Sequence, residues 1–115
     1  MTLPRKNKLT KKKEIDLVFG KGNALKGDFL FIKYKKNIFH EPRFVFIIPL
    51  KVYRNTVSRN RAKRVLSEFI SQKIKNMAGD WVIVSVKKKG KEELLKKELN
   101  YLLNKAKILN EPISN

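Results

Sequence analysis

The sequence predicts an α/β (α+β) two-layer sandwich, in which one small mixed sheet of about four strands carries three helices. Three observations lead there. The 115 residues leave room for one core and no more, so residues 1–115 form a single domain. Three short apolar runs, residues 29–36, 43–50 and 81–86, are rich in β-branched and aromatic residues and have strand length. Two longer segments, 58–77 and 91–110, repeat apolar residues at helical spacing. The element order is α-β-β-(β)-α-β-α.

Residues 1–10 read as a flexible basic arm in which Pro4 discourages helix. Residues 11–19 form the first helix, with Thr10 as cap, Ile15, Val18 and Phe19 on one face, and Gly20 and Gly22 as its stop. In the run 29–36, Phe29, Phe31 and Lys33 point one way and Leu30, Ile32 and Tyr34 the other. Both sets are mostly apolar, so the strand is covered on both sides. Residues 37–42 are a turn or loop. The strand 43–50 weakens at Pro49, and 51–57 connects onward with room for a little extended structure. Ser58 caps the long helix 58–77, whose stripe is Ala62, Val65, Leu66, Phe69, Ile70, Ile74 and Met77, and Gly79 stops it. The strand 81–86 leads through a basic turn, 87–91, to the last helix, with Leu95, Leu99, Leu102, Ala106 and Leu109 on one stripe and Pro112 ending it. Residues 111–115 are a tail.

Charge is the unusual quantity. Lys and Arg number 28 against 10 Asp and Glu, a net charge of +18. A compact domain so charged repels itself unless a polyanion meets it. Cysteine is absent, which removes thiol nucleophiles, zinc–thiolate sites and disulfides and fits a cytoplasmic location. No apolar run approaches the roughly 18 residues that span a bilayer, and no secretory signal opens the chain. His40 is the single histidine, too few for a histidine-based triad or metal site. No phosphate-binding glycine loop is present. The chain therefore binds rather than catalyses, and no catalytic residue is assigned to it.

The most informative segment is Ser58-Arg-Asn-Arg-Ala-Lys-Arg-Val-Leu-Ser-Glu68. Four cations crowd the start of a helix, where the dipole favours acids. Such a terminus suits phosphate, which arginine grips bidentately. On a helical wheel Asn60, Arg64, Ser67 and Ser71 lie opposite the apolar stripe, with Arg61 on the flank. A solvated face, partly neutralised by Arg64 and Glu68 at i, i+4, is the plainer reading. Lys6, Lys8, Lys11 and Lys12 of the arm and Lys87, Lys88 and Lys89 of the turn are auxiliary cations that fix orientation on phosphates or simply keep the chain soluble. Phe19, Phe31 and Tyr34 offer rings beside cations; they either stack on unpaired bases or belong to the core.

Arg59-Asn60-Arg61, then Lys63-Arg64 and Glu68, resembles the RNR signature of the bacterial ribonuclease P protein subunit. Lys6-Asn7-Lys8-Leu9, Ile15-x-x-Val18-Phe19-x-x-Gly22, Phe31-Ile32-Lys33-Tyr34 and Arg43-Phe44 are similar to its other landmarks. The likeness spans roughly residues 6–105. Ile15 stands where the family usually has Phe, Pro49-Leu50-Lys51-Val52-Tyr53 replaces the usual Ser-Lys-Lys-Val-Gly, and Ser67 replaces a frequent arginine. The resemblance implies a left-handed βαβ crossover, which general chirality rules would not suggest. It implies that a catalytic RNA carries the reaction centre and its magnesium, and that the protein binds this RNA and the 5′ leader of precursor tRNA. No cofactor is implied on the protein, and metal sites on it stay unassigned. Carried over by position, Arg59, Asn60, Arg61, Lys63 and Arg64 face the catalytic RNA, and Phe19, Phe31, Lys33 and Tyr34 line the leader cleft.

Two other binding readings use the same charge: a ribosomal or other structural RNA-binding protein, and a DNA-binding module reading guanines from the helix 58–77. The second lacks a preceding helix–turn partner, so DNA is not expected. A membrane-surface role is not expected either, because the last helix needs its apolar stripe for the core.

Overall fold

A computed structural model describes residues 3–36 and 41–110. The elements run α1 (Lys12–Lys21), β1 (Asn23–Lys26), β2 (Leu30–Lys35), β3 (Arg43–Ile47), α2 (Thr56–Lys73), β4 (Trp81–Val86) and α3 (Glu92–Lys105). The sheet order is β1-β2-β4-β3. β2 pairs antiparallel with both β1 and β4, while β3 and β4 are parallel and joined through α2. β4 is central, and Val82, Ile83, Val84 and Val86 are fully buried, as its mostly apolar run requires.

The main core fills one face of the sheet. Leu30 and Ile32 of β2, Phe44 and Phe46 of β3, and Val82, Val84 and Val86 of β4 meet Ala62, Leu66 and Ile70 of α2 and Leu95, Leu99 and Leu102 of α3. Leu103 belongs to this core besides the expected Leu95, Leu99 and Leu102. The opposite face is covered only in part. There Leu9, Val18 and Ile83 form a smaller cluster with Ile15, Val45, Ile47 and Trp81.

Several expectations are corrected. The extra strand is residues Asn23–Lys26, not the 51–57 connection, where Val52 and Tyr53 N–H instead donate to Pro49 O at 3.0 and 3.1 Å. The hairpin turn before β2 is clasped by Glu98 of α3, whose carboxylate accepts from the N–H groups of Asp28, Phe29 and Leu30 at 2.6, 2.8 and 2.8 Å. Gly27 suits the clasp, because a Cβ there would overlap the Glu98 carboxylate and push it from its place. The arm does not hang free. Leu3, Asn7 and Leu9 are buried, Arg5–Asn7 form a 3-10 turn, and Leu9 N–H donates to Phe44 O at 2.8 Å. Asn7 Nδ2 adds a bond to Pro42 O at 2.9 Å. The arm thus extends the sheet past β3 by one bridge, between Lys8 and Phe44.

The caps also move. α1 starts after Lys11 with no side-chain cap, so Thr10 does not serve, and it runs through Gly20 to Gly22. α2 starts two residues early: Asn55, not Ser58, is its cap, and Asn55 Oδ1 accepts from Ser58 N–H at 2.7 Å. α2 ends at Lys73, followed by a 3-10 turn, Ile74–Asn76. α3 ends at Lys105 because Lys107 takes a left-handed φ of 62°, letting Ile108 N–H bond back to Leu103 O at 2.9 Å. The chain then pairs with residues 76–78 instead of continuing as helix. His40 and the 111–115 tail lie outside the described residues, as do most of the 37–42 loop and Pro112.

Candidate nucleic-acid interface

α2 is an amphipathic helix whose inner stripe anchors it to the core, so its other side must face outward. Asn60, Arg61, Lys63 and Arg64 are exposed there, and Arg59 is half-buried with one guanidinium nitrogen, Nη1, buried and without a partner among the described residues. The early start of α2 changes the electrostatics. Arg59 closes the first turn, while Arg61, Lys63 and Arg64 lie beyond it, where the dipole has faded. The misplaced-charge argument therefore rests on Arg59 alone. Arg61 is exposed but engaged: its Nε donates to Glu92 Oε1 of α3 at 2.6 Å. Glu92 sits in the first turn of α3, where an acid is favoured, and leaves the outer nitrogens of Arg61 available.

Ser67 departs from expectation. It is buried, on the flank of α2 that faces the docked arm. Between arm, β3 edge and α2 lies a groove of about 420 Å³ that includes Asn60, Lys63, Arg64 and Ser67. Lys8 lines it from the arm.

A second constellation forms where α1 leaves the sheet face uncovered. Phe19, at the end of α1, is 38% exposed. Lys33 Nζ lies 5.2 Å from its ring centroid and donates to Phe19 O at 3.1 Å. Phe31 is half-buried on the same face as Lys33 and packs into neither apolar cluster. Its cross-strand partners are Lys26 on β1 and the buried Ser85 on β4. Lys26 carries no signal in the sequence, because its place beside Phe31 depends on a strand with little apolar pattern of its own. Tyr34 is not part of this surface. It faces the other way, pairs with Val82 and packs against the main core. Strand alternation alone separates it from Phe31 and Lys33. Ile15 packs in the smaller cluster, an apolar anchor rather than a stacking ring.

The auxiliary cations are spread around these surfaces. Lys89 Nζ lies 5.5 Å over the Tyr53 ring just before α2, Lys88 Nζ 5.7 Å over Phe29, and Lys87 Nζ donates to Gly27 O at 2.9 Å. Lys6 pairs with Glu41 at 3.6 Å, and Lys11 and Lys12 are exposed before and at the start of α1. Among the described residues no group of three or more His, Cys, Asp or Glu side chains comes together. No described helix is long and apolar enough to cross a membrane.

A family model described as Ribonuclease P matches residues 3–107. A ribonuclease P protein component from Fusobacterium nucleatum is 31% identical over 111 residues, covering 90% of this chain and 99% of the relative. Another, from Dehalococcoides mccartyi, is 32% identical over 106 residues, covering 90% and 88%. The solved RNase P protein of Staphylococcus aureus superposes with a TM-score of 0.83 at 18% identity, covering 90% of this chain and 98% of that one. That of Thermotoga maritima gives 0.76 at 19% identity, covering 85% and 96%.

Proposed function

The chain belongs to the ribonuclease P protein family, as a protein component of that tRNA-processing endoribonuclease, and we propose a division of its surface between two RNAs. The outward side of α2 binds the catalytic RNA, and the open sheet face beside α1 holds the single-stranded 5′ leader of precursor tRNA. The observation that carries this reading is the separation of the exposed Asn60, Arg61, Lys63 and Arg64 on α2 from Phe19, Phe31 and Lys33, rings and a cation on the uncovered sheet face.

Each surface suits its RNA physically. A folded RNA presents phosphates at fixed positions, which guanidinium groups on a rigid helix meet in pairs. A leader presents unstacked bases, which rest on aromatic faces without demanding one sequence. Lys33, held over Phe19, keeps a positive charge within reach of the leader backbone. The protein supplies no nucleophile; it holds the substrate against the catalytic RNA and neutralises charge. Magnesium is required by the RNA subunit, which carries the chemistry, and the complex works in the cytoplasm. Catalytic RNA and precursor tRNA are the partners.

The test is precursor-tRNA cleavage at low magnesium with bacterial ribonuclease P RNA alone, the chain alone, and both. Mature 5′ ends from the mixture only are expected. A silent mixture, with tight binding to ribosomal RNA instead, would replace this reading by that of a structural RNA-binding protein.

A further inference from the structure

The groove beside α2 offers more than phosphate contacts. β3 is an edge strand, and its backbone groups alternate in direction. Arg43 N–H points to the β4 side, where it bonds Asp80 O at 3.1 Å. The backbone N–H and C=O of Phe44 therefore point outward, and the arm occupies this edge through Leu9. The backbone groups of Phe46 point outward as well, but the arm has by then turned away into α1. The register of β3 on β4 turns the N–H and C=O of Phe46 away from β4, and among the described residues no backbone bond from outside the sheet reaches them; Phe46 lines the groove. Donor and acceptor lie side by side, the pattern that the hydrogen-bonding edge of an unpaired base complements. Lys8, Lys63 and Arg64 line the same groove, and no acidic residue does. A volume of about 420 Å³ falls within the range of small-ligand sites.

We propose that this groove takes one unpaired nucleotide turned out of the catalytic RNA. Its base enters between the arm and α2 and meets the free edge of Phe46, while its phosphate stays at the mouth with Lys63 and Arg64. Asn60 and Ser67 supply further polar atoms on the helix wall. An extended peptide could use the same backbone edge, but the charged residues of the lining, Lys8, Lys63 and Arg64, are all cations and favour a nucleotide with its phosphate. The proposal rests on the assignment of α2 to the catalytic RNA and adds what that helix recognises.

Amide NMR of the chain is the first test, with adenosine 5′-monophosphate, uridine 5′-monophosphate and inorganic phosphate as probes. The nucleotides should shift the Phe46 amide, and phosphate should shift only the neighbourhood of Lys63 and Arg64. Identical shifts from all three probes overturn the proposal, as does a Phe46 shift produced by an extended peptide and by no nucleotide. In the reconstituted complex, Thr10→Trp fills the groove from an exposed position. It should weaken binding of the catalytic RNA about tenfold, the scale of one lost base contact, with an unchanged salt slope. Arg64→Ala should lower that slope by about one. Wild-type affinity in Thr10→Trp overturns the groove proposal alone; wild-type affinity in Arg64→Ala as well overturns the assignment of α2. If Thr10→Trp does not fold, the shifts on the unaltered chain decide.

Discussion

Two aromatic residues of one strand, Phe31 and Tyr34, have opposite fates because the side-chain period of a strand is two. The family resemblance puts both in the leader cleft, whereas alternation puts Tyr34 against the core. Tyr34→Ala should therefore lower unfolding stability by about 2 kcal/mol and leave leader dependence unchanged, as urea denaturation and cleavage of long- and short-leader precursors would show. Asp80 makes a second residue-level prediction. It is buried at the start of β4, and desolvation raises its pKa above the ordinary 3.8 despite the charge of Lys36. The folded chain thus holds this proton more tightly than the unfolded one. Its contribution to stability is full below pH 3.8 and is lost as pH rises through the raised folded value. Asp80→Asn should be more stable than the native chain near neutral pH, and that gain should shrink as the pH falls toward 3.8. A constant difference across this range would mean that the carboxylate stays ionised when folded.

At the scale of elements, strong periodic signals were legible and non-local ties were not. The stripe of α2 and the apolar run of β4 appear in the structure as read, because each reports burial through its own spacing. β1 was invisible, since its four residues are mostly exposed and its existence depends on pairing with β2. The docked arm was equally hidden: alternate burial of Leu3, Asn7 and Leu9 has meaning only beside β3 and α2. In the candidate interface, the cationic face of α2 was legible, while the bond from Arg61 to Glu92 spans 31 positions and leaves no local trace. The clasp of Glu98 on the β1–β2 turn is of the same kind and carries a prediction. Glu98→Ala leaves three N–H donors without their carboxylate, one of them on the buried Leu30, and should cost about 2 kcal/mol in urea denaturation. Glu98→Gln, which keeps an acceptor, should cost less. Equal losses would show that packing, not hydrogen bonding, is what the residue supplies.

For the whole molecule the governing quantity is the net charge of +18. Several acids are committed to structure: Glu98 to the hairpin, Glu92 to Arg61, Glu93 to Lys96 and Glu14 to Arg43. The outward field is left to lysine and arginine, and RNA is what relieves its self-repulsion. Affinity for the catalytic RNA should accordingly fall steeply with salt, by a slope that counts the phosphates met. The central claim is that this field serves two separate surfaces. The most direct measurement is a binding comparison in the reconstituted complex, between precursor tRNA with a leader and the same RNA without one, for Arg64→Ala and Phe31→Ala. Arg64→Ala should weaken assembly with the catalytic RNA by about 1–3 kcal/mol and, once assembly is saturated, keep the preference for the leader. Phe31→Ala should assemble normally and lose about 1–3 kcal/mol of that preference. If both variants lose assembly and preference together, the two surfaces are one, and the account is contradicted.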